Sequence, residues 1–142
     1  MKTTITSISS EKTPLTSAVP GGLIGLGTNI DPSIAKRNGL SGQIVSAPES
    51  APPIWAKIQA RIVVVRGGKS LKTDESVRVQ SGGAVVPATV ISAKGGKALL
   101  RLSQPIAAET RARLAIARSD KGVWRLAAMA ILEQGAEAEM LE

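Results

Sequence analysis

The sequence predicts an all-β protein, a closed or nearly closed antiparallel barrel from about residue 54 to 133 preceded by strands of a second, truncated barrel. Three observations carry this. Short runs alternate apolar and polar side chains with a period of two, and Gly, Pro and charged turns break them at the spacing of a barrel. The apolar residues are Ile, Val, Leu, Ala and Met with two Trp and no Phe or Tyr, so the core is aliphatic, filled by β-branched and small side chains. At 142 residues and 43 % hydrophobic content the chain suits one folded domain or two very small ones.

The N-terminal part, residues 1–47, offers three short candidate strands: Thr3–Ser9, Leu23–Thr28 and Ser41–Ala47. Three such strands do not close a barrel. Its richest signal is PGGLIGLGTNIDP, from Pro20 to Pro32. There Gly21, Gly22, Gly25 and Gly27 let a strand bend sharply and let another backbone or a ligand come close, and Asp31-Pro32 ends the run in a turn. A tight barrel corner and a ligand contact both fit these glycines. SAPESAPP, residues 46–53, is a stiff Pro-rich connection and sets the domain boundary.

The second domain, residues 48–133, holds the long alternating runs. Ile54–Val65 reads as a strand entering the core. Val77–Gln80 and Ala84–Ala93 flank Ser81-Gly82-Gly83, and Pro87 implies an edge or a bulge. Lys97–Ser103 follows the Gly95-Gly96 hairpin and places Ala98, Leu100 and Leu102 on one face. Arg111–Arg118 turns Ala112, Leu114 and Ile116 inward and Arg111 and Arg113 outward. Asp120–Gly122 is a hairpin turn, and Val123–Leu132 alternates Trp124, Leu126 and Ala128 against Arg125, Ala127 and Met129. That phase makes Trp124 a principal core anchor and leaves Trp55, near a strand start, more exposed. The acidic tail, residues 134–142, is expected to be disordered.

Charge points outward. Net charge is +7, yet residues 1–132 hold 18 basic against 7 acidic side chains. Such a field favours polyanions and speeds their encounter, with ribosomal or transfer RNA as natural partners. Candidate contacts are Lys36, Arg37, Arg111 and Arg113, together with Arg66, Lys69 and Lys72, which fall in a turn flexible enough to adapt to phosphates. No His, Cys or Tyr is present. That removes imidazole bases, thiol nucleophiles, disulfides and soft metal sites, so no cofactor, no metal and no catalysis are expected. VVVRGGKS, residues 63–70, ends in Gly-Lys-Ser but carries Val63 where a phosphate loop needs its first Gly, and LKTDESVRV after it reads as turn and strand. No run nears 18 apolar residues and the N-terminus lacks an apolar signal core, so a cytoplasmic protein without membrane or DNA partners is expected.

Three segments also carry a family resemblance. PGGLIGLGTNIDPSIAKRNGLSGQIV resembles the end of the second domain and the start of the third in the gamma subunit of archaeal and eukaryotic translation initiation factor 2. APPIWAKIQARIVVV resembles the first strand of that third domain. ARLAIARSDKGVWRLAAMAILEQG resembles its C-terminal hairpin, with Ile116-Ala117-Arg118 and Trp124-Arg125-Leu126 standing for the family's isoleucine–serine–arginine and tryptophan–arginine–leucine steps. The resemblance implies a barrel of the translation-factor C-terminal type. For the whole subunit it implies GTP-dependent delivery of initiator methionyl-tRNA to the small ribosomal subunit. The GTP-binding domain, the first half of the second barrel and the aromatic residues of the third domain have no counterpart here. A natural fragment, a reduced paralogue and an engineered chain of narrowed alphabet all fit that pattern. The expected function is a non-catalytic barrel that contributes to initiator tRNA or ribosome contacts. The alternatives are a docking module for other initiation factor subunits or an assembly chaperone, an engineered reduced-alphabet barrel with no native activity, and a GTPase acting with a catalytic domain on another chain.

Overall fold

The computed structural model describes residues 1–138 and divides into two compact units, residues 1–40 and Ser41 onward. The sequence boundary in the Pro-rich stretch falls a few residues later. In the first unit β1 (Ile5–Ser10), β2 (Thr13–Leu15) and β3 (Gly25–Thr28) form an antiparallel sheet in the order β2-β1-β3. β2 escapes sequence reading because Pro14 weakens its pattern, and an edge position accommodates that proline. No side chain of this unit is fully buried, so its core is as thin as the sequence implies.

The glycine motif splits into two kinds of position. Gly21 and Gly22 have φ of 134° and 70°, a backbone region that side chains rarely adopt. Gly25 and Gly27 lie in β3 opposite Ser9 and Ser7 of β1, where an added Cβ would meet serine Oγ atoms at 2.8 and 2.2 Å. The close approach there is to serine hydroxyls across the β1–β3 pair. Asp31-Pro32 starts a helical turn instead of ending a strand: α1 (Pro32–Ala35) has Pro at its first position, and Asp31 Oδ1 accepts a 2.8 Å bond from the Ser33 N–H. That bond holds the Asp31 carboxyl below its usual range.

Ser41–Ala47 is not a strand. Gly42, at φ 79°, turns the chain against Ala84, and a 3₁₀ turn at Pro48–Ser50 follows, so the segment finds no ladder to join.

The second unit is a closed antiparallel barrel of six strands: β4 (Ile54–Val64), β5 (Ser76–Ser81), β6 (Ala84–Lys94), β7 (Lys97–Ala107), β8 (Arg113–Asp120) and β9 (Val123–Glu137), in the order β4-β7-β6-β5-β8-β9. Pairing of β4 with β9 closes it. Ile58, Val77, Val79, Val90, Leu100, Leu114, Ile116 and Leu132 fill the interior, the aliphatic core the composition requires. Pro87 is tolerated because β6 pairs with β7 only from Ala88 onward, so its missing N–H breaks no bond on that side. β9 runs past residue 133: Gln134, Gly135, Ala136 and Glu137 pair with β4 where a disordered tail was expected, because Gly135 fits against the Lys57 carbonyl. The rest of the expected tail, residues 139–142, lies outside the described residues.

The two tryptophans exchange the places expected of them. Trp55 is 7 % exposed and its indole N–H donates to the Ala108 carbonyl at 2.8 Å, while Trp124 is 39 % exposed. A bulge between Ile116 and Ala117 of β8 is the reason. Ile116 faces Ala128 and Ala117 faces Leu126, so Ala127 is the extra residue. One inserted residue flips every side chain beyond it, which turns Trp124 and Leu126 outward.

Candidate nucleic-acid interface

Arg118 stands on β8 in the same phase as Leu114 and Ile116, at the barrel end where the core gives way to the loop joining β4 to β5. Its guanidinium bonds the Glu75 carboxylate through Nε and Nη2, the Lys69 carbonyl at 3.1 Å and the Ser70 carbonyl at 2.9 Å. Glu75 Oε2 in turn accepts the Lys72 N–H at 2.9 Å. Leu71 is buried beneath this network. The arginine bond holds the Glu75 carboxyl below its ordinary value and raises Arg118.

The loop that carries Arg66, Lys69 and Lys72 is therefore pinned at its centre, not freely flexible. Lys69 and Lys72 line one cleft with Thr73, Asp74, Glu75 and Arg118; Arg66 is not among its walls. Gly67-Gly68-Lys69-Ser70 passes into turn and strand, so no helix N-terminus waits to hold a phosphate.

The other candidates are dispersed. Arg113 opens β8 and projects outward opposite Ile131, whereas Arg111 is not on the strand. It occupies the preceding turn at φ 70°, its N–H bonded to the Leu132 carbonyl at 2.7 Å. Five residues of strand, about 16 Å, separate Arg113 from the Arg118 end. Lys36 and Arg37 belong to the first unit, in a 3₁₀ turn where Arg37 has φ 54°. Arg125 makes an exposed ion pair with Asp120 at 3.8 Å.

Sequence reading missed Arg78 and Arg101. Both are exposed on the outer face of the barrel, and Arg78 lies over the Trp124 ring, 4.1 Å from its centroid. The available signal was the adjacent small pair Ala127-Ala128, both buried, which marks a break in strict alternation.

Three carboxylates of the barrel are already engaged by bases: Glu75 by Arg118, Glu133 by Lys97 at 2.7 Å and Arg61 at 3.5 Å, and Asp120 by Arg125. Of the 14 basic residues between Lys57 and Arg125, the other ten meet no carboxylate among the described residues. The outward field is positive.

Residues 54–132 match the family model described as "Initiation factor eIF2 gamma, C terminal". The chain is 37 % identical over 142 residues to translation initiation factor 2 subunit gamma of Methanocaldococcus jannaschii, covering 94 % of this chain and 34 % of that protein. The corresponding protein of Halobacterium salinarum is 32 % identical over 141 residues, covering 93 % of this chain and 34 % of its own length. The chain thus spans about a third of the curated relatives it matches. Among solved structures, translation elongation factor SelB from Methanococcus maripaludis in its apo form aligns with a TM-score of 0.75 at 20 % identity, covering 94 % of this chain and 34 % of that one. This last likeness is one of fold.

Proposed function

The chain belongs to the family of translation initiation factor 2 gamma subunits, matching its C-terminal domain, and from that premise we propose that its barrel is a non-catalytic cytoplasmic module that contacts initiator tRNA or ribosomal RNA. The observation that carries this is the distribution of charge. Among the described residues the barrel's ion pairs engage four bases, and ten remain directed at solvent. Bases at two different ends, Lys69 and Lys72 lining one cleft and Arg111 and Arg113 at the start of β8, suit a long polyanion better than a small ligand. Phosphate contacts of this kind position a nucleic acid without reading its sequence.

The test is a titration with a structured RNA hairpin at several ionic strengths, comparing the chain with K69E/K72E and R111E/R113E. Each double reversal is expected to weaken binding and to reduce the salt slope by about one to two. Melting should change little, since exposed charges contribute little to folding. Unaltered slopes in both variants would refute the reading.

A second reading has its own observation. On the outer face, Ala115, Met129 and Val63 stand in register across β8, β9 and β4, with Val63 56 %, Met129 40 % and neighbouring Leu126 52 % exposed. Such an apolar row suits docking to another initiation factor subunit or an assembly chaperone. Flat salt dependence of RNA binding would favour it.

A further inference from the structure

A groove crosses the outer face of β5, β6 and β7, with Arg78, Pro87, Thr89, Arg101, Ser103 and Trp124 among its walls. It opens where the pairing of β6 with β7 stops at Ala88 and Leu102, beside the proline that cannot continue the ladder. Register fixes the outward side chains. Arg78 stands opposite Pro87, Thr89 opposite Arg101, and Arg101 opposite Lys57 of β4. Two strand spacings across and two residues along put the Arg78 and Arg101 backbones about 12 Å apart, wider than one phosphate step, so the two side chains reach phosphates that are not adjacent on one strand. Among the described residues no carboxylate lines the groove.

Trp124 supplies what a purely ionic site lacks. The bulge at Ala127 swings it out of the core, and β8 presents only the small side chains of Ser119, its register partner, and Ala117, opposite Arg78, between them, so the indole can lie against the guanidinium. That contact steadies the ring, and its 39 % exposure leaves aromatic surface facing water. An indole held beside two arginines and two hydroxyls matches the chemistry of single-stranded RNA: a π-face for a base, cations for phosphates, hydroxyls for the ribose or base edges. An acidic peptide would engage the arginines but leave the indole without a partner.

We propose that this groove binds an unpaired stretch of RNA, one base stacking on Trp124 and non-adjacent phosphates of the stretch meeting Arg78 and Arg101. The inference rests on the RNA reading above and adds where unpaired nucleotides dock.

The experiment follows labelled heptauridylate by anisotropy, with Trp emission recorded in parallel, for the chain and for W124A and R101A. Heptauridylate should quench the Trp emission of the unmodified chain. W124A should raise Kd about 5- to 100-fold, and R101A should lower the salt slope by about 0.7. Retained emission from buried Trp55 reports that W124A is folded, and R101A, an exposed truncation, tests the groove independently. Binding of heptauridylate unchanged in both variants would overturn the proposal, as would its displacement by decaglutamate peptide at equal concentration. A duplex hairpin separates the two readings. If it binds with steep salt dependence while heptauridylate ignores both substitutions, the groove assignment fails and the RNA reading stands; if neither RNA binds, both fail.

Discussion

Removing the Trp55 ring should cost the barrel more than removing that of Trp124, although sequence alternation ranks them the other way. Trp55 is 7 % exposed, packs beside its register partner Ile106 at one barrel end and bonds the Ala108 carbonyl at 2.8 Å. Burial of about 150–200 Å² of indole is worth up to about 4–5 kcal/mol. An orphaned buried carbonyl adds about 1 kcal/mol, so Trp55→Ala falls near the 3–5 kcal/mol seen for large aromatic truncations. In a unit of about 100 residues that lowers Tm by roughly 15–30 °C, against a total stability of about 5–15 kcal/mol. Trp55→Phe keeps most of the packing and loses the bond, at about 1–2 kcal/mol. Trp124→Ala gives up a smaller buried area, its ring being 39 % exposed, and one cation–π contact, about 2 kcal/mol. Urea melts followed by far-UV circular dichroism measure all three. A Trp124→Ala loss equal to or greater than that of Trp55→Ala would refute the bulge at Ala127 and the face assignment built on it.

Two further outcomes concern backbone and charge. Gly135→Ala should destabilise by more than about 1 kcal/mol, since its Cβ would fall 2.2 Å from the Lys57 carbonyl oxygen and 2.9 Å from the Trp55 ring; an unshifted urea midpoint would show that β9 does not pair with β4 there. Ionised Glu75 is favoured in the folded state by Arg118, its carboxyl lowered from 4.5, so the stability it supplies is present above that pH and is lost as pH falls through the lowered folded value. Glu75→Gln should therefore melt earlier than the unmodified chain at pH 7, with the gap narrowing on acidification. A gap that is constant with pH would exclude the ion pair as its source.

Where alternation was strict, the sequence displayed the fold. Ala98, Leu100 and Leu102 on β7 and Leu114 and Ile116 on β8 face inward as their spacing requires, and the hairpins at Gly95-Gly96 and Asp120–Gly122 connect the strands expected. Legibility ended at insertions. Alternation carries no information about which residue a ladder skips, so the bulge at Ala127 inverted Trp124, and with it concealed the Arg78 contact. The role of Arg118 was hidden for another reason. Its partners Glu75, Lys69 and Ser70 lie more than 40 residues away, and no local pattern announces a side chain that closes a distant loop. Asp31-Pro32 fits both a turn and a helix start; the Ser33 bond decides between them.

Under the proposed function, the cations of the barrel that meet no carboxylate among the described residues engage RNA phosphates. The most direct measurement is the dissociation constant of the unmodified chain for a structured RNA hairpin across a series of salt concentrations. Engagement of three or more phosphates gives a log–log slope of about −2 to −3 or steeper, and that is the expected result. Affinity that stays flat as salt rises would contradict the claim.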